Sequence, residues 1–255
     1  MLEPIVVKLG GAIFEDETAL KNLCQALAQV QQRPLALVHG GGVIVESLLA
    51  RLGLISEKID GLRVTPHTQI DFIAGALAGT ANKKLTAAIL TQGRAAVGLC
   101  LGDGGLCQVT QMDAKLGAVG SCHPGDPDLL TCLLEQHYLP VISSIGIGSD
   151  GQLYNVNADQ AALAIGQMLQ GPMVLLSDVP GVLDAQGKLI NELSTSQAQQ
   201  LISQGVINGG MAVKVKAALD AAKTLQQPVI LAGWKDAQAL SRLLSGEPFG
   251  TRIIA

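Results

Sequence analysis

Aromatic side chains are scarce in this sequence of 255 residues, where Phe, Trp and Tyr together make up 2%. The core must therefore come from Ala, Val, Leu and Ile, a mixture typical of parallel strands covered by helices on both faces. Clusters of basic residues are also missing, and the net charge is -4 at pH 7. Nucleic acid or an anionic membrane surface would require a basic patch, so we expect neither kind of partner.

Long apolar runs and closely paired cysteines are absent as well. No uninterrupted apolar stretch approaches ~18 residues, so we expect no membrane span, and the amino terminus lacks the apolar region of a signal peptide. The five cysteines never occur as CxxC, which favours free thiols in a reducing compartment. The spacing of Cys122-His123, Cys132 and His137 fits no zinc site, so we expect no metal bound by side chains. These features predict a cytoplasmic protein.

What the sequence does contain is an alternation of short apolar runs with longer helical patterns. Strands are predicted near residues 4–9, 35–39, 95–100, 139–144, 173–177 and 228–231. Helices are predicted near residues 17–31, 42–52, 66–91, 126–137, 157–169, 194–204, 210–225 and 236–244. Such repetition predicts right-handed crossovers and a largely parallel sheet. We therefore expect an α/β fold, a three-layer α/β/α sandwich with a mainly parallel central sheet.

Three segments interrupt the alternation. Residues 105–122, residues 146–156 and the pieces that flank Asp60-Gly61 are predicted to form short antiparallel ribbons at the edge of the sheet. The ribbon at 146–156 contains GxGxxG, but no helix opens after it, so a hairpin loop is expected rather than a dinucleotide site. A Gly-Pro pair at 171–172 separates a helix from the next strand. We place a lobe boundary there, between residues 1–171 and 172–255.

Two glycine loops follow the first two predicted strands. Gly10-Gly11 comes directly after the strand that contains Lys8, and Gly40-Gly41-Gly42 leads straight into a helix. In a parallel sheet both loops lie at the carboxyl ends of their strands, where glycine amides and a helix amino terminus favour an anion. The HGGG at 39–42 also occurs in lipases, but no serine here lies in GxSxG. The sequence therefore indicates an acidic or phosphorylated ligand.

Two later segments add charged groups. Asn155, Asn157 and Asp159 stand where a strand turns into a helix; Asn157 is expected to cap that helix, and Asp159 could merely complement its dipole. Two glycines open the helix that carries Lys214, although a lysine on a helix face is usually just solvated. Lys8, Lys214, Asp159 and the glycine loops are together explained by phosphoryl transfer. That chemistry needs positioned cations and backbone amides rather than a nucleophile from the protein.

Motifs along the whole chain resemble those of the amino acid kinase family. They are KLGG at 8–11, HGGG at 39–42, GLRVT at 61–65, NVNAD at 155–159, SDVPGV at 177–182 and GGMxxK at 209–214. KLGG and GGMxxK are shared across the family. GLRVT together with NVNAD resembles the members that phosphorylate the γ-carboxylate of N-acetyl-L-glutamate with MgATP in arginine biosynthesis.

The resemblance implies roles for particular residues. Lys8 and Lys214 would stabilise the phosphoryl group in transfer, and Asp159 would orient the two lysines. The acetylglutamate would bind to the amino-terminal lobe through Gly41, Gly42, Arg63 and Asn155. ATP would bind to the carboxyl-terminal lobe, with Mg²⁺ held mainly through the ATP phosphates and no protein metal site. The nucleotide would be bound by Gly11, Asp178, Val179, Pro180, Gly181, Val182, Leu183, Val206, Ile207, Asn208 and Met211.

Other functions stay open at this point. Another member of the family that acts on glutamate, carbamate or uridylate would share the general motifs. Several of those enzymes are longer or carry extra domains, which this chain does not show. A non-catalytic sensor of nucleotide or acetylglutamate would have no need to retain Lys8, Lys214 and Asp159.

The resemblance also predicts assembly and regulation. Arginine-inhibited members of the family carry an additional amino-terminal helix that joins dimers into a hexamer, whereas here the first predicted strand begins about three residues from Met1. The Ala-rich helix near 66–91 offers small residues for packing across a two-fold axis. We expect a homodimer of about 52.6 kDa, twice the chain mass of 26.3 kDa, that millimolar arginine does not inhibit. A hexamer in light scattering would contradict the expected homodimer. Sigmoidal inhibition in an activity titration with arginine would contradict the expected insensitivity to arginine.

Overall fold

The computed structural model describes residues 3–30, 33–235, 247 and 249–255. In chain order its strands are Ile5–Leu9 (β1), Leu35–His39 (β2), Lys58–Ile59 (β3), Leu62–Arg63 (β4), Ala96–Cys100 (β5), Cys107–Gln111 (β6), Val119–Pro124 (β7), Leu139–Ser143 (β8), Ile145–Ile147 (β9), Leu153–Val156 (β10), Met173–Ser177 (β11), Glu192–Ser194 (β12), Val229–Gly233 (β13) and Thr251–Ile254 (β14). Its α-helices are Glu17–Gln29 (α1), Gly42–Arg51 (α2), Ile70–Ala74 (α3), Asn82–Leu90 (α4), Asp128–Glu135 (α5), Ala158–Leu169 (α6), Thr195–Ser203 (α7) and Gly209–Leu225 (α8). The helix predicted at 236–244 lies outside the described residues.

The central sheet has eight strands in the order β12, β14, β13, β11, β1, β2, β8, β5. Neighbouring strands are parallel except for β13 and β14. All six strands predicted from apolar runs belong to this sheet. The two strands that the sequence does not predict are β12, which has only three residues, and β14, in which Thr251 and Arg252 break the apolar pattern.

Helices cover both faces of the sheet, which confirms the predicted three-layer α/β/α sandwich. Successive side chains of β1 point to opposite faces of the sheet and therefore pack against both helical layers. Ile5, Val7 and Leu9 belong to the buried cluster that contains residues of α1 and α4, whereas Val6 belongs to the cluster that contains residues of α6 and α8. Lys8 therefore extends from β1 on the face of Val6, toward α6.

The predicted ribbons exist, and they form sheets of their own rather than further strands of the central sheet. Strands β6, β7, β10 and β9 form a separate four-stranded sheet, and β3 and β4 form a separate hairpin. Val109, Tyr154 and Val156 of the four-stranded sheet, and Ala118 directly before β7, are buried in the same cluster as residues of α6. Because these apolar residues need a helix to cover them, the four-stranded sheet packs against α6.

The long helix predicted at 66–91 contains a local irregularity. A π-helical segment at Gly75–Ala81 joins α3 to α4, so the three pieces follow one another without a loop. Such segments are rare and are often found beside functional sites. The predicted cap of α6 is confirmed, because the Asn157 side chain accepts hydrogen bonds from the backbone N–H groups of Asp159 and Gln160. That cap fixes where α6 begins.

Arg94 links the loop before β5 to the end of α1. It is 6% exposed, and its guanidinium donates to the carbonyl oxygens of Leu27 and Val30.

We expect Arg94→Met to lower the free energy of unfolding by about 2–4 kcal/mol, since two buried carbonyls lose their donor. Arg51→Met, at an exposed position in the last turn of α2, is the control and should change it by less than about 0.5 kcal/mol. Equal effects in urea unfolding would refute this role of Arg94.

Candidate functional site

Lys8 carries its positive charge at the carboxyl end of β1. Its Nζ lies 2.9 Å from Oδ1 of Asp159 in the first turn of α6, and the two side chains are 16% and 48% exposed. The backbone of Lys8 pairs with β2 on one side and with β11 on the other. Because the strand lies inside the sheet and Asp159 holds the ammonium group, the charge has a fixed position.

The two glycine loops contact each other directly beside Lys8. A Cβ atom at Gly11 would lie 3.0 Å from the backbone nitrogen of Gly42, and one at Gly41 would lie 2.8 Å from Leu77 in the π-helical segment. A larger residue at Gly11 would therefore crowd the second loop, and one at Gly41 would crowd the π-helical segment. No side chain caps α2, so the N–H groups of its first turn remain available to an anion.

Arg63 forms a wall of the site from the hairpin of β3 and β4. Its guanidinium is 8% exposed; it donates to Ser56, to the carbonyl oxygen of Gly42 at 3.2 Å and to Oε1 of Glu46 at 3.0 Å. Lys58 lies 2.7 Å from the same Glu46 oxygen. Hydrogen bonding from Lys58, followed by that from Arg63, holds the pKa of Glu46 below its usual value. Glu46 therefore ties the hairpin to α2.

Asn155 approaches Arg63 from β10. Its side-chain nitrogen donates to Oγ1 of Thr65 over 3.1 Å, and that hydroxyl donates to the carbonyl oxygen of Arg63 over 3.0 Å. Thr65 is fully buried, so this chain of hydrogen bonds is shielded from water. The GLRVT and NVNAD segments, which lie far apart in sequence, are thus joined in one polar network.

A cavity of about 420 Å³ lies between these elements. Its lining brings together seven residues that the sequence predicts for the site or its immediate neighbourhood, namely Lys8, Gly11, Gly41, Gly42, Arg63, Asn155 and Asn157. Asp159 reaches the same place through its ion pair with Lys8. The cavity combines cations, free backbone amides and apolar side chains, which suits a small anionic molecule with an uncharged part.

The residues predicted to bind a nucleotide lie in other elements, and apart from Gly11 none of them lines this cavity. Asp178 to Leu183 form the turn after β11, and Val206 to Met211 surround the start of α8. Within the turn Gly181 has φ of 147°, and a Cβ there would lie 2.7 Å from Thr251. The turn is therefore built around a glycine, beside a helix start that no side chain caps.

The two predicted catalytic lysines have different carboxylate partners. Lys214 Nζ lies 3.1 Å from Oδ1 of Asp178, whereas Asp159 pairs with Lys8. The hydrogen bond from Lys214 is the largest cause that lowers the pKa of Asp178. Lys214 and Asp178 are both substantially exposed, so a ligand could separate this pair at little cost.

His39 and Asn82 form a buried pair that sequence reasoning did not find. The ring Nδ1 of His39 lies 2.8 Å from the carbonyl oxygen of Gly40 and so donates to it, while Nε2 accepts from the Asn82 amide at 3.0 Å. Asn82 also donates to the carbonyl oxygen of Val141 at 2.8 Å. These contacts attach the second glycine loop to α4 and β8. No local sequence signal marks Asn82, which follows an Ala-rich stretch.

The described residues contain no group of three or more His, Cys, Asp or Glu side chains that could hold a metal ion. All five cysteines are present as free thiols. In the same part of the chain, no helix is both long enough and apolar enough to cross a membrane.

Comparisons with known proteins identify relatives of the whole chain. A sequence model described as the amino acid kinase family matches residues 3–233. The chain is 56% identical over 254 residues to an acetylglutamate kinase of Aeromonas salmonicida, covering 98% of each protein. It is also 56% identical over 256 residues to one of Moritella profunda, covering 99% of this chain and 97% of that protein. Among solved structures, smu.665 from Streptococcus mutans aligns over the full length of both chains with a TM-score of 0.77 and 25% identity.

The environment of His39 predicts a pH dependence of stability. Burial lowers the pKa of His39 from 6.5 to about 4, so the unfolded chain binds the proton more tightly. The contribution of neutral His39 to the free energy of unfolding is therefore fully present above pH 6.5 and is lost as the pH falls toward 4. Between pH 7 and 4.5 the wild type should lose about 2 kcal/mol more unfolding free energy than His39→Gln. His67→Gln, at an exposed position, should behave as wild type in the same urea titrations. Parallel pH profiles for wild type and His39→Gln would contradict this.

Proposed function

The chain belongs to the amino acid kinase family, and from that membership we propose that it transfers the γ-phosphoryl group of ATP to the γ-carboxylate of N-acetyl-L-glutamate. The product is N-acetyl-L-glutamyl 5-phosphate, an intermediate of arginine biosynthesis. The observation that carries the proposal is the 56% identity, along nearly the whole chain, to proteins named acetylglutamate kinase.

The chemistry of the 420 Å³ cavity supports a dicarboxylic acceptor. Arg63 and Asn155 bind the α-carboxylate, Arg63 through its charge and the N–H groups that Ser56, Gly42 and Glu46 leave free. The γ-carboxylate lies against the backbone N–H groups of Gly41 and Gly42 at the uncapped start of α2. This orientation directs the reacting carboxylate toward Lys8 and Asp159.

The nucleotide belongs at the same edge of the sheet, beyond Lys8. Gly11 fits a phosphate-binding role because a Cβ there would reach within 3.0 Å of the Gly42 amide and block it. The Asp178–Leu183 turn, together with Val206, Ile207, Asn208 and Met211, shapes the nucleotide site. Mg²⁺, held mainly through the ATP phosphates, would neutralise charge on the transferring phosphoryl group.

Transfer needs no general base from the protein, because the acceptor carboxylate is already an anion. Its oxygen forms the new bond to the γ-phosphorus while the bond to the β,γ-bridging oxygen breaks and ADP leaves. Lys8 and Lys214 stabilise the charge on the equatorial oxygens of the transferring group. Asp159 holds Lys8 in position through their ion pair, whereas Lys214 is paired with Asp178 in this ligand-free structure.

Three further expectations accompany the proposal. Residues 1–171 form the acetylglutamate-binding and dimerisation lobe, and residues 172–255 form the ATP-binding lobe, with β1 and β11 paired across the boundary in one continuous sheet. The protein acts as a homodimer. It works in the cytoplasm, as the free cysteines favour.

The substrate is tested by a coupled assay of ADP release with a panel of acceptors. We expect MgATP-dependent release with N-acetyl-L-glutamate, and at least about 100-fold lower kcat/KM with glutamate, aspartate, carbamate or UMP. Preference for another acceptor would show that the chain is a kinase of that acceptor instead. Binding of acetylglutamate or ATP without any release of ADP would instead identify a sensor.

Replacement of Lys8 tests the phosphoryl-transfer site. Lys8→Arg should lower kcat by about 100-fold or more with little change in thermal stability, because a planar guanidinium cannot place its charge where the ammonium group lies. Lys21→Arg, at an exposed position in α1, is the matched control and should leave kcat unchanged. Near-normal turnover in Lys8→Arg would exclude this role.

Replacement of Arg63 separates the two substrates. Arg63→Ala should raise the KM for acetylglutamate by roughly 100-fold and leave the KM for ATP within about twofold, since the lost carboxylate contact concerns only the acceptor. Arg51→Ala, on the exposed end of α2, serves as the control. The assignment fails if both KM values rise together.

A further inference from the structure

One polar side chain of the 420 Å³ cavity has no partner in the protein. Lys8, Lys58, Arg63, Asn155 and Asn157 line the cavity, and each makes an ion pair or a hydrogen bond to another residue. Ser144 also lines the cavity and is only 3% exposed. Across the described part of the chain, its hydroxyl makes no hydrogen bond.

The backbone holds Ser144 firmly at this place. Ser144 follows β8 directly, and its carbonyl oxygen accepts a hydrogen bond of 2.9 Å from the N–H of Val156. The preceding residue, Ser143, pairs with His39 at the end of β2, so Ser144 lies next to the second glycine loop. The Ser144 hydroxyl lines the cavity and is not one of the buried side-chain atoms that lack a partner, so it is open to the cavity and available to a ligand.

The surroundings of Ser144 indicate which part of the ligand it contacts. Val156, whose N–H donates to the Ser144 carbonyl oxygen, is almost fully buried and lines the same cavity, as do the almost fully buried side chains of Leu77 and Val119. An ionised carboxylate is poorly accommodated among such apolar groups, and cations and free amides for it exist elsewhere in the cavity. A neutral amide with a methyl group fits, because the hydroxyl can pair with the amide while the methyl packs against the apolar side chains.

We propose that Ser144 binds the acetamido group of the acceptor and so contributes to selection of an N-acylated over an unacylated dicarboxylate. The inference rests on the proposed function, because it takes N-acetyl-L-glutamate as the acceptor. It assigns Ser144 a role in substrate selection, in addition to the carboxylate contacts of Arg63 and Asn155.

The chain offers a matched control in the neighbouring serine. Ser143 is fully buried as well, but its hydroxyl donates to the carbonyl oxygen of Leu99 at 3.3 Å, and Ser143 does not line the cavity. Ser143→Ala therefore removes a structural hydrogen bond, whereas Ser144→Ala removes only an unpaired hydroxyl. Without ligand, Ser143→Ala should lower the thermal midpoint and Ser144→Ala should not.

Calorimetric binding to the intact protein tests the inference without relying on turnover. The ligands are N-acetyl-L-glutamate and glutarate, which keeps both carboxylates and lacks the acetamido group; glutarate is measured by competition. We expect Ser144→Ala to weaken acetylglutamate binding about tenfold and to leave glutarate binding within about twofold. Ser143→Ala should retain the wild-type ratio of the two Kd values.

The outcomes separate this inference from the proposed function. Equal weakening of both ligands by Ser144→Ala, or no weakening of either, would overturn the acetamido contact and leave the kinase activity standing. A wild-type protein that does not bind acetylglutamate would overturn the proposed function and the inference together.

Discussion

The ion pair between Lys8 and Asp159 is the contact on which the rest of the site depends. It joins the carboxyl end of a strand in the middle of the parallel sheet to the first turn of α6. A lysine there is expensive to bury without a partner, and Asp159 supplies that partner while leaving one side of the ammonium group open to the cavity. The Asn157 cap fixes the start of α6 and thereby the position of Asp159. The sheet, the helix cap and the ion pair together fix the position of the Lys8 ammonium group.

The absence of side chains in the two glycine loops is a second constraint. Because a Cβ at Gly11 would crowd the backbone of Gly41 and Gly42, glycine at this position lets the loops approach each other closely enough for backbone amides to face one small volume. His39 and Asn82 keep the second loop in place through hydrogen bonds that stay in the neutral form of the histidine at physiological pH. A buried neutral network can hold this loop without adding a charge that would compete with Lys8 for the ligand.

Much of the architecture follows from sequence patterns, because apolar runs and capping residues act locally. The six apolar strands, the two glycine loops and the Asn157 cap are of this kind. The separate four-stranded sheet could not be predicted, since its packing on α6 depends on side chains distant in sequence.

The same reason explains which parts of the site the sequence did not reveal. Asn82 and His39 are 43 residues apart, and Asn155 and Thr65 are 90 residues apart. Glu46 and Ser144 have no local feature that distinguishes them from ordinary helix and strand residues. Charged residues in recognisable motifs were predictable, whereas the polar residues that hold or complete them became visible only when the chain was folded.

The central claim is that Lys8 and the glycine amides face one phosphoryl-transfer site, and a crystal structure with N-acetyl-L-glutamate and a non-hydrolysable MgATP analogue tests it most directly. The account predicts a carboxylate oxygen of the acceptor within hydrogen-bonding distance of the Gly41 or Gly42 N–H groups. It also predicts that Lys8 Nζ contacts the γ-phosphoryl group or its analogue while still paired with Asp159. An acceptor bound outside the cavity, or a γ-phosphoryl group remote from Lys8, would contradict it.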